Sequence, residues 1–146
     1  MTGRGRALNR YVVDTNIVIA TMQGAPEAVA FMEGAESTKS DVLYSVIVEA
    51  ELFSSSALTE DDKRDLRNLL SMGETVDVNS EVGLKAAELR ALSKRLYQRK
   101  LRLPDALVAA TALMMSATLV TRNVQDFEHL VAHGLRIHNP FGPSSE

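Results

Sequence analysis

The chain has 146 residues, a net charge of −3 at pH 7 and no cysteine, and 45% of its residues are hydrophobic. This length and composition fit a single globular domain, and the lack of cysteine excludes a disulfide scaffold, a thiolate zinc site and a cysteine nucleophile. No apolar run is long enough to cross a bilayer, so we expect a cytoplasmic protein without membrane contacts.

Strand and helix signals alternate along the chain. Short runs rich in β-branched residues predict strands, whereas Ser, Thr, Asn and Pro mark helix starts and Gly marks a helix end. The predicted order is a strand at 11–13 with a helix start at 14–16, a helix at 26–34, a strand at 42–44, helices at 46–58 and 59–72, a strand at 75–78, helices from Ser80 and from Leu103, a strand at 118–120, a short helix from Val124 and a strand at 135–137.

This alternation predicts an α/β sandwich with a mostly parallel central sheet of four to five strands. The helix from Leu103 has no charged residue between 106 and 116, and a helix that is apolar on all sides is normally buried. We expect one domain at 11–139. A basic N-terminal extension at 1–10, whose order the sequence does not specify, precedes it, and a tail at 140–146 follows.

Several acidic residues fall near the predicted carboxyl ends of the strands, where open parallel sheets form their functional crevice. They are Asp14, Glu49, Glu51, Asp105 and Asp126. Carboxylates that converge in one crevice repel each other unless a cation lies between them. Hard oxygen ligands suit Mg²⁺ or Mn²⁺, and such a metal activates water and stabilises charge on a phosphodiester.

Each of these acids also has a purely structural interpretation. Asp14 suits a helix N-cap, and Asp105 lies in a first helical turn, where a carboxylate stabilises the helix dipole by roughly 0.3–1 kcal/mol. Asp126 suits an exposed helix position. Helical phase does not separate Glu49 from Glu51, because each lies off the centre of the apolar face, on opposite flanks.

Basic residues form two local clusters despite the acidic net charge. Arg4, Arg6 and Arg10 lie at the N-terminus, and a second cluster precedes Pro104. Such patches contact phosphates in nucleic-acid-binding proteins, although a solvated helix end explains each patch equally well. The second cluster consists of Lys94, Arg95, Arg99, Lys100 and Arg102.

Three segments, taken in order, resemble those of a known family. They are VVDTN at 12–16, SVIVEAEL at 45–52, and LPDALVAATAL at 103–113 with its continuation LVTRNVQDF at 119–127. Together they are similar to PIN domains, and in particular to the VapC-type toxins of bacterial and archaeal toxin–antitoxin pairs. The resemblance extends from Arg10 to Ile137 and implies a PIN-like three-layer α/β/α sandwich.

The resemblance also assigns site residues. It selects Glu51 over Glu49, because the family glutamate precedes Leu and comes six residues after Ser. Many PIN domains have Asp where this chain has Asn123, whereas toxin-type members often have an acid three residues later. The implied catalytic residues are Asp14, Glu51, Asp105 and Asp126. Asp14 and Asp105 are the implied metal ligands, and the implied supporting residues are Asn16, Thr121 and Asn123.

The implied activity is a Mg²⁺-dependent endoribonuclease (Mn²⁺ is an option) in which metal-activated water attacks a phosphodiester of single-stranded or looped RNA. The implied partners are RNA, a VapB-like antitoxin whose C-terminal tail enters the active-site groove, and a second copy of the chain in a homodimer. Candidate phosphate contacts are Lys94, Arg95, Arg99, Lys100, Arg102 and Arg122. Candidate groove residues, which suit an ordinary core equally well, are Phe31, Met32, Leu52, Phe53 and Leu58.

Three alternatives stay open. A phosphatase of the haloacid dehalogenase type also has Asp after its first strand, but it needs a second Asp where this chain has Asn16. A catalytically inactive PIN-like module would bind RNA or protein without cutting. A housekeeping RNA-processing nuclease would have the same site but no antitoxin, and a short upstream reading frame for a DNA-binding antitoxin would distinguish the toxin from it.

Overall fold

A computed structural model describes residues 9–142. Its strands are β1 (Arg10–Val13), β2 (Asp41–Ser45), β3 (Glu74–Val76), β4 (Thr118–Val120) and β5 (Arg136–His138). Its helices are α1 (Thr15–Met22), α2 (Pro26–Ser37), α3 (Val46–Phe53), α4 (Glu60–Leu70), α5 (Ser80–Tyr97), α6 (Leu103–Met114) and α7 (Val124–Phe127), and a 3₁₀ helix (Glu128–His133) follows α7.

The strands form one parallel sheet in the order β3-β2-β1-β4-β5. β1 is central, and the chain adds β2 and β3 on one side of it before adding β4 and β5 on the other. Tyr11 is paired with Val42 of β2 and with Thr118 of β4. The direction of winding reverses between β1 and β4, and open α/β sheets bind ligands outside the strand ends at such a switch point. The predicted three-layer α/β/α sandwich is confirmed.

The core explains why the central strands and α6 form where they do. Val12 and Val13 of β1 and Leu119 and Val120 of β4 are completely buried, as expected for parallel strands covered on both faces. The apolar helix α6 is buried along most of its length, as predicted. α4, by contrast, is amphipathic, and a capping box that pairs Thr59 with Asp62 fixes its start.

Several predicted boundaries differ from the observed ones. The helix predicted at 46–58 ends at Phe53, where Ser54 Oγ donates a hydrogen bond to the Ala50 carbonyl, and serine competes in this way with continued helix formation. Ser80, which its residue type predicts as the cap of α5, is instead the first residue of that helix, and the Asn79 side chain caps it. The helix predicted at 26–34 does not end at Gly34 but continues to Ser37.

The N-terminal boundary of the fold includes part of the predicted extension. Arg10 lies in β1, forms an ion pair with Asp41 (Nε to Oδ2, 3.3 Å) and donates from Nη1 to the Met115 carbonyl at 2.7 Å. Arg4 and Arg6 of the predicted extension lie outside the described residues, as do residues 143–146 of the predicted tail. Within residues 9–142, none of the helices combines the length and apolar character needed to span a membrane.

Candidate active site

Asp14 is the most buried acid of the site, with 6% of its surface exposed. It follows β1 directly and is the N-cap of α1, where its Oδ1 accepts a hydrogen bond from the Thr15 backbone N–H at 2.9 Å. Its Oδ2 accepts hydrogen bonds from Thr121 Oγ1 at 2.9 Å and from Asn16 Nδ2 at 3.3 Å. The capping role and a position in the site therefore coexist, because each oxygen faces a different set of donors.

A polar network joins the end of β1 to the end of β4. Asn16 Nδ2 lies 3.2 Å from Thr121 Oγ1, which also accepts a hydrogen bond from the Asn123 backbone N–H at 3.0 Å. The Asn16 side-chain oxygen accepts the Arg122 backbone N–H at 2.9 Å. Thr121 is fully buried, so these bonds fix the Asp14 carboxylate at the switch point of the sheet.

Thr15 connects Asp14 to the glutamate of α3. Its backbone N–H bonds to Asp14, and its hydroxyl donates to Glu51 Oε1 at 2.7 Å. Sequence reasoning assigned no role to Thr15, and the only available signal was its position inside the Asp-Thr-Asn segment. The contact brings Glu51, on an exposed part of α3, to the same end of the sheet as Asp14.

Three of the predicted acids act electrostatically on the fourth, Asp105. Burial, together with the charges of Asp14, Asp126 and Glu51, raises the pKa of Asp105 to about 6, against the opposing charge of Arg102. Helical phase did not separate Glu49 from Glu51. Of the two, it is Glu51 whose charge acts on Asp105.

The pKa of Asp14 is also raised, chiefly by burial. The hydrogen bonds from Thr121, Thr15 and Asn16 oppose this increase, and the nearby charge of Glu51 adds to it. Because donors aimed at a carboxylate favour its ionised form, these bonds offset part of the effect of burial on Asp14.

The donor set fits a hard divalent cation. Within residues 9–142, no three His, Cys, Asp or Glu side chains form a group arranged to hold a metal ion. Mg²⁺, however, commonly keeps several waters and uses only one or two protein carboxylates. The acids of the site offer oxygen ligands alone, and Asp14 and Asp105 both have raised pKa values that a nearby positive charge would lower. The chemistry of these oxygen ligands is therefore compatible with such an ion.

The candidate RNA contacts fall into two groups. Five of the six are exposed, namely Lys94, Arg95, Lys100, Arg102 and Arg122. Arg99 is half-buried, and its Nη2 donates to the Gln125 carbonyl of α7 at 2.6 Å. Arg99 thus helps to hold the short helix that carries Asp126, in addition to any contact with a ligand.

Two further contacts hold the segment after α7 against α5. Ser93 Oγ lies 2.8 Å from His129 Nε2, and the Tyr97 hydroxyl lies 2.8 Å from His133 Nε2. These pairs join the C-terminal part of α5 to the 3₁₀ helix. They extend the Arg99 contact and fix the position of α7 relative to α5.

The five predicted groove residues do not line one groove. Leu52 and Leu58 line a cleft of about 450 Å³ beside Glu51. Met32 lines a separate cleft of about 400 Å³, and Phe31 packs against the rings of Tyr11 and His138. Phe53 packs against the main core. Of the five, only Leu52 and Leu58 thus share a cleft with one of the site acids, Glu51.

Comparison with known proteins gives the class of the protein. The family model described as the PIN domain matches residues 11–131, a span that contains all four acids and the network around Asp14. The chain belongs to the PIN domain family.

Within this family, the chain is similar to proteins and structures that are named VapC or VapBC. Ribonuclease VapC1 of Haemophilus influenzae (strain R2866) is 26% identical over 123 residues, which cover 82% of this chain and 91% of that protein. The structure of VapBC2 from Rickettsia felis, bound to a DNA fragment from its promoter, matches with a TM-score of 0.78 and 26% identity over 89% of this chain and 98% of that one. VapBC-1 from nontypeable Haemophilus influenzae matches with a TM-score of 0.74 and 25% identity over 91% and 99% of the two chains.

Proposed function

We propose that this chain is a divalent-metal-dependent endoribonuclease and the toxin of a VapBC-type pair. The observation that carries the proposal is the environment of Asp14, a buried carboxylate at the switch point of the sheet whose charge acts on Asp105 together with those of Glu51 and Asp126. The similarity to a protein named Ribonuclease VapC1 supports the ribonuclease activity.

Each residue of the site has a separate task in this proposal. Asp14 and Asp105 would hold Mg²⁺, or Mn²⁺ in its place. The chemistry that such a cation supplies when bound is Lewis-acid stabilisation of the phosphodiester and a lower pKa for the attacking water. An exposed carboxylate, that of Glu51 or Asp126, accepts the proton of the attacking water.

Three polar residues support the acids. Asn16 and Thr121 orient the Asp14 carboxylate through the hydrogen bonds described above. Asn123 donates its backbone N–H to Thr121 and thereby orients the hydroxyl that serves Asp14. The exposed basic side chains near the site contact RNA phosphates, which gives binding that weakens with salt.

The proposal includes two protein partners. The structures that this chain resembles are named as VapBC complexes, and we propose a VapB-like antitoxin that covers the cleft beside Glu51. Ile19 and Met22 line that cleft and expose 44% and 39% of their surfaces. We also propose that the toxin is a homodimer, which sedimentation analysis of the purified chain tests.

Cleavage of a labelled single-stranded RNA tests the enzymatic proposal. Wild type is expected to cut in Mg²⁺ and to stop in EDTA, whereas Asp14→Asn and Asp105→Asn are expected to keep the fold and lose cleavage. Asp77→Asn is the matched control, because it removes an exposed acid that is not one of the proposed site residues, and it should cut like wild type.

Three results would contradict the proposal or parts of it. Cleavage by both site variants, unaffected by EDTA, would exclude the metal-nuclease mechanism. RNA binding without cleavage by wild type would favour an inactive PIN-like module. Harmless expression of active wild type in its host, without the neighbouring gene, would exclude the toxin role and favour a housekeeping nuclease.

A further inference from the structure

An arginine at the rim of the candidate active site is stacked on an aromatic ring. The guanidinium carbon of Arg122 lies 3.9 Å from the centre of the Phe141 ring. Arg122 follows the end of β4 by two residues, and Phe141 lies shortly after β5, the strand paired with β4. The stack is therefore at the carboxyl end of the sheet, where Asp14 also lies.

Contacts fix both the main chain and the guanidinium of Arg122. Its backbone N–H donates to Asn16 Oδ1 at 2.9 Å, and the Asn16 amide donates in turn to Asp14. The preceding residue, Thr121, donates its backbone N–H to the His138 carbonyl at 3.0 Å. The main chain of Arg122 is thus tied to the Asp14 network, while its side-chain end is tied to Phe141.

Phe141 is itself ordered by a local turn. Its backbone N–H donates to Asn139 Oδ1 at 3.0 Å, and the Gly142 N–H donates to the Asn139 carbonyl at 3.0 Å. The ring is half-buried and packs against the core. It therefore provides a fixed surface for the guanidinium, which sits at an exposed position.

A guanidinium held by a ring face keeps its donors available. Cation–π stacking covers one face of the group, whereas the N–H donors point outward in its plane. Within residues 9–142, no carboxylate oxygen comes within 4.0 Å of the Arg122 guanidinium. A polar cleft of about 340 Å³, lined by the segment from Arg122 to Asp126, opens beside it.

We propose that Phe141 is a positioning residue that preorganises Arg122 to contact an RNA phosphate next to the scissile one. Arginine loses much side-chain freedom when it makes a bidentate phosphate contact, and a guanidinium that is already stacked has lost part of it beforehand. This inference rests on the proposed function, because it takes RNA as the substrate.

A double-mutant cycle with substitutions at Arg122 and Phe141 tests the inference. Phe141→Leu removes the ring and keeps apolar packing, and we expect it to raise KM for a short single-stranded RNA by about two- to fivefold with kcat unchanged. Phe141→Trp keeps an aromatic face and should restore the wild-type KM. Arg122→Ala should raise KM further, and adding Phe141→Leu to it should have no additional effect.

Binding in an uncleaved complex gives a second readout. The logarithm of the RNA dissociation constant is plotted against the logarithm of the salt concentration for Asp14→Asn, with and without Arg122→Ala. The loss of one phosphate contact on a single strand should make the slope shallower by about 0.7. Arg67→Ala, which removes an exposed arginine of α4, controls for the change in net charge and should leave KM unchanged.

Three outcomes would overturn the inference. The first is a wild-type KM in Phe141→Leu. The second is a Phe141→Leu effect that persists undiminished in the Arg122→Ala background, since the ring would then act independently of the arginine. The third is an Arg67→Ala effect as large as that of Arg122→Ala. In each case wild type still cleaves RNA, whereas failure of the proposed function would appear as no cleavage by wild type.

Discussion

Replacing Asp105 by asparagine is expected to stabilise the metal-free protein while it abolishes the proposed activity. Burial and the charges of Asp14, Asp126 and Glu51 raise the pKa of Asp105 to about 6 from an ordinary 3.8. A carboxyl with a higher pKa in the folded than in the unfolded state stabilises the fold only while it is protonated. Stability is therefore lost as the pH rises from about 3.8 to about 6, and the loss is complete above that.

The expected gain is modest. A pKa difference of about two corresponds to at most ~3 kcal/mol, and because Asp105 is only half-buried, solvent screening reduces this to about 1 kcal/mol. For a chain of this length, 1 kcal/mol moves the unfolding midpoint by about 4 °C. Asparagine is nearly isosteric with aspartate, so packing should contribute little to the difference.

Thermal unfolding in EDTA at pH 4 and pH 8 measures the effect. Asp105→Asn should unfold about 4 °C above wild type at pH 8 and at nearly the same temperature at pH 4, with Asp77→Asn as the control for loss of one exposed acid. Mg²⁺ should raise the midpoint of wild type but not of the variant, because a ligand stabilises the state that binds it.

Asp14→Asn provides the contrast within the site. Its carboxylate accepts hydrogen bonds from three donors, and asparagine gives up one of the two acceptor oxygens, so this variant should not gain stability. The electrostatic reasoning is refuted if Asp105→Asn fails to exceed wild type at pH 8, or if its gain is as large at pH 4.

Two further predictions concern single contacts. Thr121→Val removes the hydroxyl that serves Asp14; it should destabilise the fold by about 1–3 kcal/mol in urea unfolding and reduce RNA cleavage, and Thr121→Ser should retain both. Gly73→Ala should destabilise by about 1–3 kcal/mol, because a Cβ there would lie 2.5 Å from the Val42 carbonyl oxygen. Gly83→Ala, where a Cβ meets nothing within 4 Å, is its control, and equal unfolding of the two alanine variants would contradict the packing argument.

Most of the fold follows from local patterns. The buried strands are short apolar runs, and the apolar helix α6 has no polar face to expose. The alternation of strands and helices then restricts the sheet to a parallel arrangement. Helix ends were harder to predict, because the end of α3 depends on whether Ser54 bonds back to its own helix, and residue type alone does not decide this.

The site was less accessible from sequence, since its contacts join distant segments. Helical phase could not choose between Glu49 and Glu51, and only the resemblance to PIN domains did. The structure adds the Thr15 hydroxyl, which reaches Glu51 across 36 positions of the chain. The sequence did not predict a role for Phe141. Its partner, Arg122, follows β4 whereas Phe141 follows β5, and no periodic pattern links the two residues.

The acid predicted for the fourth position, Asp126, lies three residues after Asn123. Asn123 is the N-cap of α7, its side chain makes no capping bond, and its carbonyl accepts the Asp126 backbone N–H at 3.1 Å. Asn123 has non-helical backbone angles, whereas Asp126 lies within α7, so helical spacing does not relate the two side chains. The charge of Asp126 does act on Asp105. Because the contact between Arg99 and Gln125 holds this short helix against the end of α5, the position of Asp126 depends on a residue of a different segment.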